Sequence, residues 1–579
     1  MRKFLLLLFC VYLFNSAQSQ TSAFSTNPVA EQVMLGNYTP LNYSPLTLID
    51  NPDSIIQHFI QQISPDSLHK TLDELASFYN RNSASDTVSN TAGIGAARRW
   101  AFQKFSDISG QNNNRLLPSY LQFDNSLICG VVQHRDIFAV LPGTDTSDKS
   151  IVIVEAHIDS RCADLCSDSC LAQGMEDNGS GTALVLELAR VMSPCSYKRT
   201  VVFLLTIAEE QGLYGAEAFA YYCIQKGIQI HAVLNNDVVG GIFCGETSSA
   251  PSCPGFGNID STHVRLFSYG GFNSKHKQYA RFVKLEYKEE VLPFVSFPTN
   301  ILIMTAEDRT GRGGDHQPFR QHAFTAIRMT SSNENGNANV ADTNYHDRQH
   351  TSDDILGLDT DTIPGLDSFF VNFNYLVRNS VINASGIAMA ATGPMIPDLN
   401  VVALGNSNAE ITITQQTAYH QYRIAVRKLT TDWDSVYTFS NALVDTIHLT
   451  AVGNTFFSVA SVDSNGIESL FSREVMVNVV GIENPSGSKK GIYIEANTPN
   501  PADEQTLITI YSDEEVAAKL AWLSITDQNG KEIKRLPVEL HTGRNEVLYH
   551  HGFHASGSFH CSLFVNGKMT DEVKMVFGN

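Results

Sequence analysis

The chain has 579 residues, with 40 Lys and Arg against 60 Asp and Glu, for a formal charge of −20. That deficit excludes a phosphate-neutralising nucleic-acid binder, which needs a basic face. A composition of 43% apolar and 17% charged residues excludes a disordered chain, a collagen, a coiled coil and a multi-pass membrane protein. At about 150 residues per domain the length suggests three or four domains.

Taken in chain order, Arg2 and Lys3 precede an apolar run from Phe4 to Phe14, and the small polar stretch Asn15-Ser16-Ala17-Gln18-Ser19 follows. This is the order of a signal peptide cleaved near Ala17 to Gln20. The run is too short for a membrane anchor, which needs about 20 apolar residues. Of the cysteines beyond it, Cys162, Cys166 and Cys170 cluster, and Cys129, Cys195, Cys223, Cys244 and Cys253 share that half of the chain. In an oxidising compartment the cluster reads as a disulfide-stapled loop rather than a metal knuckle, with the pairing open.

Residues 51–110 read as helical, with Ile55, Ile56, Phe59, Ile60 and Ile63 and then Leu68, Leu72, Leu75 and Phe78 at helical spacing. From about 136 short apolar strands alternate with helices. Ile151–Val154, Val201–Leu205 and Ala232–Leu234 are continuous runs, as suits strands covered on both faces of a parallel sheet. Thr182 to Met192 and Ala216 to Tyr222 read as covering helices. After Pro394 and Pro397 alternating strands take over, among them Glu410–Thr414, Tyr422–Val426 and Phe457–Asp463. The fold expected is α/β: a mixed, mostly parallel sheet covered by helices, followed by two all-β sandwich domains. The boundaries are a signal peptide at 1–20, a catalytic domain at 21–392, a β-sandwich at 393–482, a linker at 483–490 around Pro485-Ser486-Gly487-Ser488, and a second β-domain at 491–579.

The apolar strands end in chemistry. The first runs into His157-Ile158-Asp159, the second into Glu209-Glu210 and the third into Asp237, while Asp177 opens a glycine-rich helix start and His350 lies in Gln349-His350-Thr351-Ser352-Asp353-Asp354. Ligands of open α/β sheets bind at the carboxyl ends of the strands. Each piece alone is weak, since an Asp after a strand is usually a turn former. Together they would bury many carboxylates, which is very costly without cations. Imidazole and carboxylate together suit zinc or a similar ion.

The segments Ala156–Ser160, Gly174–Gly181, Ala208–Gly215, Asn236-Asp237, Asp315–Phe319 and His350-Thr351 resemble, in order, the motifs of the secreted two-zinc leucyl aminopeptidases, over roughly residues 50–385. The resemblance implies two zinc ions per chain, one held by His157, Asp177 and Asp237 and the other by Asp177, Glu210 and His350, with Asp177 bridging. It implies that Asp159 orients His157, that Glu209 is the general base, and that the Asp177–Asn178 peptide is cis. Asp315 and His316 fall in the family's pocket motif and become candidate substrate contacts, with a structural role for His316 equally expected; His322 is read as structural. The substrate implied is a peptide or protein N-terminus. Two departures stand out: Gln349 where the family often has Tyr, and a long Asn-rich stretch from Ser331 to Asp342. His346 is a rival ligand, but only His350 has the His-Thr-x-x-Asp spacing. The rival functions are a glutaminyl cyclase, with the same fold and one zinc, and a surface binding protein that has lost catalysis.

The segment Asp463–Ser469 resembles a fibronectin type III module. Pro499-Asn500-Pro501, Leu507–Tyr511, Asp527–Gly530 and Gly557–Phe559 resemble the C-terminal sorting domain of type IX secretion, which implies a partner in that export machinery and a secreted or cell-surface location in a Bacteroidetes-type bacterium. No nucleic-acid partner and no transmembrane anchor are expected.

Overall fold

A computed structural model describes the chain outside residues 1–22, 245–256, 310–311, 335–339, 342–346, 406, 416–418, 431, 450–452, 480–490, 503–504, 529, 551–556 and 578–579. The expected signal peptide, the linker at 483–490, Cys253 and His346 lie outside the described residues. The chain forms two compact units, one of residues through 404 with 408–479, the other of 405–407 with 480–579.

The first unit is organised by a nine-stranded sheet. Its strands are β1 (Phe24–Ser25), β2 (Leu117–Asp124), β3 (Gln133–Leu141), β4 (Ile151–His157), β5 (Thr200–Thr206), β6 (Ile230–Asn236), β7 (His263–Ser268), β8 (Asn300–Ile303) and β9 (Ala326–Ser331). Their order across the sheet is β1-β2-β3-β5-β4-β6-β9-β7-β8. The heart, β5-β4-β6-β9, is parallel, and β3 joins it antiparallel through β5. Every residue of β4 and β5 is buried, which is why both read as unbroken apolar runs rather than alternating ones.

Helices cover the sheet. Those before the central strands are α1 (Pro28–Met34), α2 (Pro52–Gln62), α3 (Pro65–Ala76) and α4 (Gly93–Gln111); α5 (Ser180–Met192), α6 (Tyr214–Lys226), α7 (Lys275–Glu286), α8 (His316–Gln321) and α9 (Phe373–Thr392) follow. Helix α2 starts at Asn51, whose side chain takes the Ser54 amide while Ser54 answers to the Asn51 amide, and Pro52 occupies the first turn. Ile55, Ile56 and Phe59 of α2 and Leu68, Leu72 and Leu75 of α3 are buried on the faces their spacing predicts. Helix α9 was not visible in the sequence pattern. It is buried on nearly all sides from Tyr375 to Thr392, so it carries no amphipathic stripe to read.

A short hairpin of β10 (Gly357–Leu358) and β11 (Ser368–Phe369) precedes α9. The β-sandwich that follows has β12 (Asp398–Gly405), β13 (Asn408–Thr414), β14 (Gln421–Arg427), β15 (Ser435–Ser440), β16 (Val444–His448), β17 (Gly453–Val462) and β18 (Val475–Val479), in sheets β12-β13-β16 and β15-β14-β17-β18. Its own core includes Tyr422, Ile424, Phe457 and Val459, while Ala425, Ala460, Leu470 and Phe471 join the core of the α/β part. A buried triad ties the two parts: Glu474 accepts from Arg281 at 3.1 Å and from Arg427 at 2.5 Å. The second unit repeats the three-plus-four strand plan in antiparallel sheets over residues 493–577, around Ile508, Ile510, Leu523, Ile525 and Leu563. Disulfides join Cys129 to Cys166 and Cys162 to Cys170, so the clustered cysteines do staple a loop; Cys195, Cys223 and Cys561 are reduced and buried.

Candidate active site

The parallel strands deliver their carboxyl ends to one place. His157 is the last residue of β4, Asp237 follows β6 directly, and Glu209 and Glu210 lie just beyond β5. Asp177 sits in a kinked segment ahead of α5, and its peptide bond to Asn178 is cis, as the family resemblance implies. Gly181, in the first turn of α5, has no room for a side chain: a Cβ would stand 2.3 Å from the Asn236 carbonyl and 2.4 Å from Asn178 Oδ1. Ala208, Val238 and His350 have φ of 57°, 57° and 63°. For the β-branched Val238 that conformation is a true outlier, and such residues persist where the surroundings over-determine them.

The expected ligands converge. His157 Nε2 is 3.2 Å from Asp177 Oδ1, 3.4 Å from Asp237 Oδ1 and 4.0 Å from Glu209 Oε2. His350 Nε2 is 3.0 Å from Asp177 Oδ2 and 3.4 Å from Glu210 Oε2. Two donor clusters result, His157 with Glu209 and Asp237, and Asp177 with Glu210 and His350. The two oxygens of Asp177 each face a different histidine. Glu209 has the most access of these carboxylates, with 14% of its side chain exposed against 3% for Glu210.

A supporting layer fixes these groups. Asp159 lies against His157 Nδ1, at 3.4 Å from Oδ1, and its carboxylate accepts the amides of Glu209 and Glu210 and the Ser83 hydroxyl. Asp354 accepts the amides of Glu176 and Asp177 at 2.8 and 3.0 Å. Gln349 donates its side-chain amide to Asp177 Oδ2 at 2.7 Å and accepts from Arg312 at 2.8 Å. Asp315 and His316 are fully buried; Asp315 accepts from Thr206 at the end of β5. His322 pairs with Glu217 at 2.8 Å, away from the converging ligands.

Burial pushes the Glu209 and Glu210 carboxyls well above their ordinary range, and neighbouring carboxylates push the same way. Burial would raise Asp177 too, but hydrogen bonds from His157 and His350 hold it well below. Two buried cations offset part of this charge. Arg328 meets Asp237 at 2.9 Å and also Asp308 and Glu334, and Arg81 lies beneath, bonded to the carbonyls of Ile158, Gln173 and Gly174. The sequence reading missed both. The one signal for Arg328 is a charge in the middle of the apolar strand Ala326–Ser331. The arginines leave a deficit: among the described residues Glu210 Oε1 is buried with no hydrogen-bond partner. A donor set of two imidazoles and four carboxylates, with an orphaned oxygen among them, fits divalent cations.

The model of peptidase family M28 matches residues 136–364, which include the two histidines and four carboxylates of the donor set but not Arg81 or Ser83. A protein of Leptosphaeria maculans named as a probable zinc metalloprotease is 28% identical over 434 residues, covering 72% of this chain and 96% of that relative. One of Pyrenophora tritici-repentis, named likewise, is 30% identical over 296 residues, covering 49% of this chain and 67% of the relative. Among solved structures, the LapA aminopeptidase of Legionella pneumophila superposes with a TM-score of 0.42 at 17% identity, over 59% of this chain and 75% of that one. The chain belongs to peptidase family M28, and it is an enzyme of that family.

Proposed function

We propose that the protein is an exported aminopeptidase that binds two zinc ions and removes N-terminal residues from peptides. The observation that carries this reading is Asp177, whose Oδ1 and Oδ2 face His157 and His350 as a bridging carboxylate would. His157, Asp177 and Asp237 would hold one ion, and Asp177, Glu210 and His350 the other. When bound, such a pair lowers the pKa of a water and polarises the scissile carbonyl. Glu209, the accessible carboxylate, takes the proton of the attacking water and returns it to the leaving amine. Asp159 holds the His157 ring by its second nitrogen and sets the amides of Glu209 and Glu210. The chain's net charge of −20 favours the approach of a substrate's N-terminal ammonium. The side chain of Gln349 is engaged with Asp177, so the donor for the developing oxyanion is not assigned to it.

Relatives named as zinc metalloproteases support zinc. Disulfides in the first unit support an oxidising compartment, and no described helix is long and apolar enough to cross a membrane. The three-plus-four strand plan of β12–β18 supports the fibronectin type III reading. The separate core of residues 493–577 supports a domain that acts in sorting and is removed after export.

The test is metal analysis of active protein together with assay of aminoacyl-coumarin substrates, with and without chelator. Two ions per chain and chelator-sensitive release of coumarin are expected. One ion, with N-terminal glutamine converted to pyroglutamate, would replace this reading by the cyclase. An intact mass from culture medium that still ends at Asn579 would remove the sorting reading.

A further inference from the structure

In a chain of net charge −20, one cavity is lined by cations. It has a volume of about 380 Å³ and lies between the first turns of α4 and the start of β3, with Arg98, Arg99, Tyr120, Gln133 and Arg135 in its wall and no carboxylate among the lining residues. Arg99 is occupied, donating to the carbonyls of Thr87, Val88 and Ser89, so its charge is fixed at the rim. Arg98 and Arg135 differ: among the described residues neither makes a hydrogen bond or an ion pair, and the Arg135 guanidinium rests 5.8 Å from the centre of the Tyr120 ring. The neighbouring acid on β3, Asp136, is turned elsewhere, accepting the amide of Ile207. Other arginines in the interior engage acceptors, as Arg115 does with the carbonyls of Tyr43, Ser193 and Cys195. Burial, then the repulsion of Arg135, pushes the Arg98 guanidinium down to about 10, against the opposing pull of Tyr120 and Asp136.

We propose that this cavity is an oxyanion-binding site in which Arg98 and Arg135 grip a carboxylate or phosphate group. Two guanidinium forks without internal partners suit such a group, and charge-assisted bonds to it are among the strong hydrogen bonds of proteins. The volume lies in the range of small-molecule pockets, about 300–1,000 Å³, so the anion can be part of a larger ligand. The placement favours a carboxylate carried by the substrate. Asp136, next to Arg135, bonds the amide of Ile207 two residues before Glu209, and Thr87 in the cavity wall lies four residues beyond Ser83, which bonds Asp159. The cavity is therefore at the same end of the sheet as the candidate metal centre. The substrate arm of the proposal rests on the peptidase reading; anion binding itself does not.

The experiment uses the full metal-loaded chain at low ionic strength, where such contacts are least screened. Calorimetric titration with inorganic phosphate and with citrate is compared in wild type, Arg135→Gln, Arg98→Gln and the double variant, with circular dichroism as the check on folding. Binding in wild type should weaken by about tenfold for each arginine removed. In parallel, kcat/KM is measured for paired peptides carrying Glu or Gln, and Asp or Asn, at each position after the first, and for an uncharged dipeptide. Wild type should prefer the acidic member of a pair, the double variant should show no preference, and the uncharged dipeptide should be cleaved alike by both. Anion binding that depends on the arginines, without any preference among peptides, supports the site with a free anion as its ligand. No binding of phosphate, citrate or acidic peptide in wild type, or equal binding by the folded double variant, overturns it. Failure to cleave any peptide would sink the peptidase reading and leave the calorimetric result to decide the site.

Discussion

His157 and Asp237 stand at the ends of adjacent parallel strands, whereas His350 stands in a loop with φ of 63°, and the two halves of the candidate centre are held by different means. On the first side the imidazole is fully buried, its Nδ1 faces Asp159, and Asp237 is clamped by Arg328. On the second side, among the described residues, the ring's Nδ1 is buried without a hydrogen-bond partner, and the ring meets Asp177 and Glu210 through Nε2, with Asp177 held in turn by the Gln349 amide. Strand ends are fixed by the continuous ladder of the sheet, whereas the His350 loop has only scattered bonds such as Thr351 N–H to the Arg348 carbonyl and Asp354 N–H to the Thr351 carbonyl. The first half is therefore the more preorganised, and of two bound ions the one at His350 should leave first on chelation.

The largest effect expected separates chemistry from binding. Glu209→Gln should lower kcat by about 10²–10⁴ and leave both ions in place, because the amide keeps the shape of the side chain but cannot take the proton. Metal analysis and steady-state kinetics of the same preparation check this. Loss of an ion in Glu209→Gln, with retention in Glu210→Gln, would exchange the two assignments.

Next in size is Glu210→Gln, which removes an anionic ligand from the His350 half alone. Zinc should be lost from one of two sites, by more than the roughly 10–100-fold typical of changes one layer further out. Competition with a chromophoric chelator resolves the two steps, and only the weaker should move. Should both move together, the halves would be one cooperative unit, with no difference in how firmly each is held.

Asp159→Asn probes the first half from beneath. It keeps the Asp159 carbonyl that His157 Nδ1 meets at 3.2 Å, removes the charge of the carboxylate 3.4 Å from that nitrogen, and weakens the acceptor for the amides of Glu209 and Glu210. Affinity at the tighter site should fall by about 10–100-fold, with a smaller change at the other. If the order were reversed, Asp159 would act chiefly through Glu210.

The same difference decides what could be read in advance. Ile151–Val154 and Ala232–Leu234 are apolar runs that lead into the candidate ligands His157 and Asp237, so hydrophobic pattern and side-chain chemistry point to one spot in the sheet. His350 has no such frame, and its choice over His346 rested on the spacing to Thr351 and Asp354. Asp354 does hold the amides of Glu176 and Asp177, which accounts for that spacing. Arg81 and Arg328 escaped because their partners, carbonyls at 158, 173 and 174 and carboxylates at 237, 308 and 334, are brought together only by the fold. Helix α9 escaped for the opposite reason, since a helix buried all round has no polar face to set its period.

Gln349 gives the smallest and most selective test. Its amide spans the gap between Arg312 and Asp177 Oδ2, the oxygen that faces His350. Gln349→Leu removes that bond at nearly constant volume. Arg312 keeps Glu334 at 3.0 Å, so no cation is left stranded. A hydrogen bond to a charged group contributes about 1.5–3 kcal/mol, so zinc at the His350 half should bind roughly tenfold or more weakly. The His157 half should hold its affinity within about twofold, the scale of a few tenths of a kcal/mol expected at a site that loses no contact. Chelator competition on the variant reads both. An equal loss at the two sites would mean that the amide positions Asp177 as a whole rather than one of its oxygens. No loss at either would mean that the bridge from Arg312 to Asp177 does not bear on the metals.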